Sequence, residues 1–250
     1  MQRLDKELVR RGLAPTRSRA QQLIDSHVVL VNGTNERIKA SLSVDDNDDI
    51  TLNHATRSSG QYVSRGAIKL IEALELFMPE GEWDIEGKNC LDIGASTGGF
   101  TQVLLEKGAH SVIALDVGHN QLDPIVKNDN RVIDMSGVNI RHVEAENLPF
   151  MPQVVVSDVS FISLTYVIPT ISRITHSGAN AVLLIKPQFE VGRNKLGKGG
   201  IVTEEKYRRE AIEKVTQCAT LYQFDVKGVV PSAITGTHGN QEYLLWITRV

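Results

Sequence analysis

The segment Leu91-Asp92-Ile93-Gly94-Ala95-Ser96-Thr97-Gly98-Gly99-Phe100 constrains this chain more than any other. An apolar strand, Cys90–Ile93, runs straight into a glycine-rich turn and then into a helix-forming stretch, Phe100–Lys107. Glycines permit a tight turn and let a ligand approach the backbone, and the helix N-terminus offers free N–H groups at a positive dipole end. Strand candidates Val112–Leu115, Val154–Ser157 and Ala181–Ile185 follow, with helical stretches Leu164–Ile174 and Glu204–Leu221 among them. Such alternation predicts an α/β fold with a largely parallel sheet. Two strand-like runs joined by a glycine-rich loop close the chain from Phe224, and predict an antiparallel hairpin.

The glycine spacing narrows the ligand. Gly94-x-x-x-Gly98-Gly99 lacks the middle glycine of the dinucleotide fingerprint and matches an S-adenosylmethionine pattern better. Asp116 ends the second strand, 24 residues beyond Asp92, where a carboxylate can accept ribose hydroxyls of a nucleoside cofactor. A surface Asp beside a structural turn is the bland alternative, and the pairing of the two features disfavours it. Gly192 to Lys198 matches G-x-x-x-x-G-K, but Gly199 stands where a phosphate-binding loop needs Ser or Thr for its metal. Arg193, Lys195 and Lys198 read instead as a mobile basic loop near a polyanion.

The first fifty residues form a different pattern. Arg3–Arg11 fits a helix ended by Gly12, and a second helix begins near Thr16. Val28–Val31 and Ile50–Leu52 read as short strands, and residues 53–61 as a polar linker. These features divide the chain into a small α+β domain at 1–58 and a larger one at 59–250. The net charge of −3 argues against nucleic acid for the chain as a whole. Yet residues 1–19 hold six cations against Asp5 and Glu7, a local +4 within a remainder of −7. Arg3, Lys6 and Arg10 share one helical face, and Arg11, Arg17 and Arg19 flank it. With few acidic partners in reach along the sequence, these cations are expected to meet RNA phosphates rather than form a solvated face. Cys90 and Cys218 are too few and too far apart for a disulfide framework or metal cluster, and read as buried thiols in a reducing cytosol. No run reaches the ~18 apolar residues of a membrane span. A soluble, cytoplasmic protein without bound metal is expected.

Five segments together resemble the TlyA-type ribosomal RNA methyltransferases, sometimes labelled hemolysins, whose catalytic domain is FtsJ-like. They are Arg3 to Leu13, Tyr62-Val63-Ser64-Arg65-Gly66, Gly94 to Phe100, Asp158 to Leu164, and Lys186 to Gly192. The resemblance implies a Rossmann-like S-adenosylmethionine-dependent domain preceded by an RNA-binding domain of the ribosomal protein S-four type. It implies methyl transfer to a ribose 2′-hydroxyl of cytidine, with ribosomal RNA or ribosomal subunits as partner. It places a Lys-Asp-Lys-Glu tetrad at Lys69, Asp158, Lys186 and Glu242, and an adenine contact at Asn139. Gly94, Ala95, Ser96, Thr97, Gly98, Gly99, Phe100, Asp116, Val117, Asn139 and Asp158 are the expected cofactor residues. Arg65 joins the cations of the first helices and of the 193–198 loop as an RNA contact. Ser136 stands where family members often carry an acidic residue.

Elementary chemistry supports the tetrad unevenly. Methyl transfer from a sulfonium is an in-line displacement, so the enzyme mainly aligns the nucleophile. A lysine can take a hydroxyl proton only if its pKa, normally ~10.4, is lowered by burial or a nearby cation. Lys186 and Asp158 end apolar strands, where α/β folds place ligand sites. Lys69 lies off the stripe Ala67, Leu70, Ile71, Leu74 and Met78 of the helix Arg65–Phe77, so spacing alone predicts a solvated lysine. Glu242 reads equally as a surface carboxylate. Phe161 and Phe189 each follow a tetrad candidate and could stack on a flipped base or pack in the core. The competing functions are a ribosome-associated binding protein without catalysis, a small-molecule methyltransferase and a membrane-active hemolysin.

Overall fold

The computed structural model describes residues 2–11, 13–14, 17, 20–21, 24, 29–34, 38–52, 62–78, 83–236 and 239–250. Chain contacts divide it into two units, Met1–Ile68 and Lys69–Val250. The domain boundary expected at 58/59, the linker at 53–61, and Gly12, Thr16 and Arg19 lie outside the described residues.

In the first unit, β1 (Gln2–Arg3) leads into α1 (Leu4–Arg10). β2 (Val29–Val31), β3 (Ser43–Val44) and β4 (Ile50–Leu52) complete it. β1 pairs antiparallel with β3, and β2 with β4. Leu4 and Leu8, one turn apart on α1, pack with Ala20, Ile24, Val29, Val44 and Ile50 into a small core. The two-residue strands β1 and β3 carry no sequence pattern of their own and were not anticipated.

The second unit begins within α2 (Gly66–Phe77). Then come β5 (Asn89–Ile93), α3 (Gly99–Glu106), β6 (Ser111–Asp116), α4 (Pro124–Lys127) and β7 (Val132–Ser136). β8 (Val154–Ser157), α5 (Ile168–Ile174), β9 (Asn180–Ile185), α6 (Pro187–Glu190), α7 (Glu205–Leu221), β10 (Phe224–Pro231) and β11 (Tyr243–Arg249) follow. One sheet runs β10-β11-β9-β8-β5-β6-β7. It is parallel from β9 to β7, while β11 enters antiparallel between β9 and β10. The buried runs of β5, β6, β8 and β9 explain why their sequences read as continuous apolar stretches.

Two elements differ from expectation. β7 was missed because it lies at the sheet edge, is only half-buried, and alternates too weakly to signal a strand. The helix expected over Leu164–Ile174 is broken: a 3-10 turn spans Leu164–Tyr166, and α5 starts at Ile168 with Pro169 in its first turn. Proline lacks an N–H but is tolerated there, so the chain restarts the helix at that point.

The order of strands fixes where a ligand can sit. From β5 the chain moves outward to β6 and β7, then returns to β8 on the other side of β5. The crevice at the carboxyl ends of β5, β6 and β8 is the topological switch point, the usual ligand site of open α/β sheets.

Candidate active site

A cavity of about 640 Å³ opens at that switch point. Gly94 after β5, Asp116 ending β6, Asn139 after β7 and Asp158 after β8 all line it. Gly94 has φ +83°, and a Cβ there would lie 3.1 Å from the Asp158 carbonyl oxygen. Gly98 caps α3 at φ +93°, where a Cβ would come within 2.9 Å of Val126. Both positions require glycine for conformation and for space. Ser96, Val117 and Asn139 also line the cavity. Gly99 and Phe100 open α3 with their side of the helix buried.

Asp116 organises the turn. Its carboxylate accepts the Ser96 amide (2.8 Å) and the Gly118 amide (2.7 Å), which leaves further lone pairs for a ligand hydroxyl. Asn139 accepts the Arg141 amide (3.1 Å) through its side-chain oxygen and so caps the next turn. Val117 is 69% exposed, an apolar surface free to cover a ring. Ser136 donates to Asp134 through its hydroxyl.

The charge of the cavity discriminates between ligands. Asp92 is fully buried behind Gly94, with one oxygen accepting the Thr101 hydroxyl (2.7 Å) and the other without a partner among the described residues. Burial, together with the charges of Asp158 and Asp116, pushes its carboxyl up to about 7. Two carboxylates, Asp116 and Asp158, line the cavity beside a single cation, Arg141, and Asp92 lies buried behind them, a balance that disfavours a phosphate. The residues present therefore fit a cationic nucleoside such as S-adenosylmethionine and disfavour a dinucleotide.

Beside the cavity the expected tetrad forms two ion pairs. Lys186 follows β9, and its Nζ lies 2.7 Å from Asp158 and donates to Ser160 Oγ at 2.9 Å. Register explains the second pair's location: Tyr243 of β11 stands opposite Ile185 of β9, so Glu242 falls beside Lys186 at the strand ends. Glu242 is 2% exposed and accepts from Lys69 Nζ at 2.5 Å. Lys69 is 8% exposed, which corrects the solvated lysine that helix spacing predicts. It lies off the α2 apolar stripe because that flank of the helix faces Glu242 rather than water. The surface reading of Glu242 fails with it. Each lysine is paired with its own carboxylate, Lys69 with Glu242 and Lys186 with Asp158.

Sequence reasoning passed over several residues here. Glu72, one turn beyond Lys69 on α2, accepts Ser232 Oγ (3.0 Å) and the Ala233 amide (2.8 Å), anchoring the loop that carries Glu242. Buried Asn240 accepts the Val202 amide and donates to the Gly200 carbonyl. Arg141 lines the cavity, and no local pattern marks it. Phe161 and Phe189 do meet, with centroids 5.1 Å apart; Phe161 is 92% exposed and adopts φ +64°. Exposure removes core packing as the reading of Phe161.

The basic segments need correction. Arg3 bonds Asp5, Arg17 bonds Asp5, Arg10 bonds Glu7 and Asp46, and Arg11 bonds Glu7. Asp5 and Glu7, the two acidic residues of the local sequence, take up most of these cations, and the 45–48 turn supplies further acceptors through Asp46 and the backbone carbonyls to which Arg11 donates. Asp5 and Glu7 are buried beneath these guanidiniums. Hydrogen bonds from Arg3 hold the Asp5 carboxyl well below the usual range, and those from Arg10 and Arg11 bring Glu7 down to about 2. Lys6 and Arg65 are exposed. Lys195 is not in a free loop: it pairs with Glu210 and lies over the Tyr207 ring. Arg193 and Lys198 are exposed at short 3-10 turns.

A seven-stranded, mainly parallel sheet with its last hairpin reversed, and a carboxylate-lined cavity at the switch point, define a Rossmann-like methyltransferase. The chain belongs to the FtsJ-like methyltransferase family, whose model matches residues 62–249, and carries an S4 domain over residues 2–50. It is 41% identical over 98% of its length to a Mycobacterium tuberculosis protein named 16S/23S rRNA (cytidine-2′-O)-methyltransferase TlyA, covering 89% of that protein. It is 41% identical to Hemolysin A of Brachyspira hyodysenteriae, covering 97% of this chain and 98% of the other. A solved structure from Streptococcus thermophilus with a provisional hemolysin label is 38% identical, with a TM-score of 0.75, covering 100% of this chain and 88% of that one. Among the described residues no helix is long and apolar enough to cross a membrane, and no group of three metal-ligating side chains occurs.

Proposed function

We propose that this chain methylates a ribose 2′-hydroxyl of cytidine in ribosomal RNA, using S-adenosylmethionine. The observation that carries the reading is the Lys186–Asp158 pair, set at the mouth of the carboxylate-lined cavity and backed by Lys69–Glu242. S-adenosylmethionine, when bound, supplies an electrophilic methyl group on a sulfonium. Asp116 would accept its ribose hydroxyls, Asn139 and Val117 would meet its adenine, and the turn Gly94–Gly99 with the N-terminus of α3 would receive its carboxylate.

The chain's own residues then hold the nucleophile. The Lys186 ammonium, fixed by Asp158 and Ser160, presents its remaining N–H to the ribose oxygen and steers a lone pair toward the methyl carbon. The hydroxyl proton lost as the methyl group passes from sulfur to oxygen, its bond to sulfur breaking to leave a neutral thioether, would go to Asp158, the acceptor this pair offers. Lys69 and Glu242 position the ribose from the β11 side. The exposed Phe161, resting on Phe189, offers a face on which a base taken out of its helix can stack.

The S4 domain serves RNA docking, with a boundary to the catalytic domain near residue 58. Among the described residues, the exposed Lys6, Arg65, Arg193 and Lys198 would meet phosphates, with the exposed flanks of Arg3, Arg10 and Arg17 as secondary contacts. Such contacts set register and carry little sequence information. The deciding experiment is tritium transfer from labelled S-adenosylmethionine to ribosomal subunits, comparing wild type with Lys186→Ala. Label in a ribose-methylated cytidine with wild type, and none with the variant, supports the reading. Equal labelling by both would refute the tetrad.

A further inference from the structure

Two residues of the segments around Asp158 and Lys186 have no part in the chemistry above, yet both are buried. Ser163 is 8% exposed and Glu190, the last residue of α6, is 6% exposed. The Glu190 carboxylate accepts the Ser163 hydroxyl at 2.5 Å and the Leu164 amide at 2.8 Å. Lys214 reaches in from α7, donating to the Glu190 carbonyl at 2.8 Å and standing 3.4 Å from both Glu190 Oε2 and Ser163 Oγ. Ser163 Oγ also lies 2.7 Å from Thr165 Oγ1. One buried carboxylate thus collects donors from two other segments, an arrangement that offsets the cost of burying its charge.

Its place in the fold gives this cluster a consequence. The β8–β9 ladder ends at Ser157↔Leu183. Past that point the segments 158–164 and 186–190 share no backbone hydrogen bond among the described residues. Side chains alone join them: Lys186 to Asp158 and Ser160, Phe161 to Phe189, and Glu190 to Ser163 and Leu164. The first of these links is the reacting pair itself, and the second is an exposed ring contact. Phe161 also holds a left-handed φ, which a bulky residue adopts only when its surroundings enforce it.

We propose that Glu190 is a positioning residue for methyl transfer: its bonds to Ser163, the Leu164 amide and Lys214 set the separation of Asp158 and Lys186. The same bonds keep Phe161 in its strained conformation over Phe189. The inference rests on the assignment of Lys186 and Asp158 to the reaction.

The test is methyl transfer to ribosomal subunits by Glu190→Gln, with S-adenosylmethionine affinity and thermal melting measured on the same samples. A misplacement of about 1 Å should lower kcat by about 10- to 100-fold, with cofactor affinity held within about two-fold. Ser163→Ala should lower kcat less, and the double variant should lose no more than Glu190→Gln alone, because both cut the same link. Glu190→Asp, one methylene shorter, should not restore the rate. Wild-type kcat in Glu190→Gln would overturn the proposal, as would independent, multiplicative losses in the double variant. Parallel loss of kcat and cofactor affinity would also overturn it, since that marks a merely structural role. If Glu190→Gln loses its cooperative melt, the same kcat-against-affinity split in Ser163→Ala and Lys214→Met decides. Wild-type protein that binds cofactor but labels no ribosomal RNA would refute the underlying reading, and the proposal with it.

Discussion

Replacing Lys69 by Met separates the structural from the chemical role of the buried pair. Lys69 and Glu242 are 8% and 2% exposed, and their contact is 2.5 Å. Methionine keeps most of the lysine volume but leaves the Glu242 carboxylate buried without a counter-ion. Removing one partner of a buried pair costs about 3–5 kcal/mol. For a domain of this size each kcal/mol lowers Tm by about 2–4 °C, so calorimetry should show a fall of roughly 6–20 °C in the main transition. Lys69→Met/Glu242→Gln removes both charges and should recover most of that loss, because the penalty lies in the unpaired charge rather than in the missing attraction. Methyl transfer should stay impaired in both variants. A single variant that melts within about 2 °C of wild type would refute the buried ion pair, as would a double variant whose losses simply add.

Other expectations follow from the same contacts. Asp116→Ala should weaken S-adenosylmethionine binding by about ten-fold or more, as the loss of hydrogen bonds to a charged group worth about 1.5–3 kcal/mol implies, read by calorimetry. Asp92, raised to about 7 by burial and by Asp158 and Asp116, binds its proton more tightly folded than unfolded. Its stabilisation is therefore present in acid and lost as pH rises from about 4 to 7, a change on the order of 4 kcal/mol. Asp92→Asn should melt higher than wild type at pH 8 and lose that slope; an unchanged slope would remove Asp92 as its source. Asp5 and Glu7 are depressed, so the opposite sign applies to the S4 domain. Its stability should hold above about pH 4 and fall as pH drops toward 2, and amide exchange in α1 should accelerate in that window.

Much of this was legible in the sequence where one period or one motif decided the outcome. The strands at 90, 112, 154 and 181 announced themselves because burial on both faces demands unbroken apolar runs. The glycine turn and Asp116 were readable because φ and ligand approach constrain them locally. Lys69 and Glu242 were not readable from spacing, because their burial depends on a contact 173 residues apart, between α2 and the strand end that the β9–β11 register sets beside Lys186. The first helix misled for a different reason: a net charge count overlooks that Arg3, Arg10 and Arg11 each have Asp5 or Glu7 within four residues, and only the pairs Arg17–Asp5 and Arg10–Asp46 depend on tertiary folding. Glu190 and Ser163 sat within recognised segments, but their link spans two loops and has no period to betray it.

The central claim is that the cavity and the two ion pairs act together on a ribose hydroxyl of ribosomal RNA. Nucleotide-resolved mapping of 2′-O-methylation, on ribosomal RNA from cells with and without this protein, tests it most directly. The account predicts one or a few cytidines methylated only when the protein is present, and restored by wild type but not by Lys186→Ala. An identical methylation map with and without the protein would contradict it.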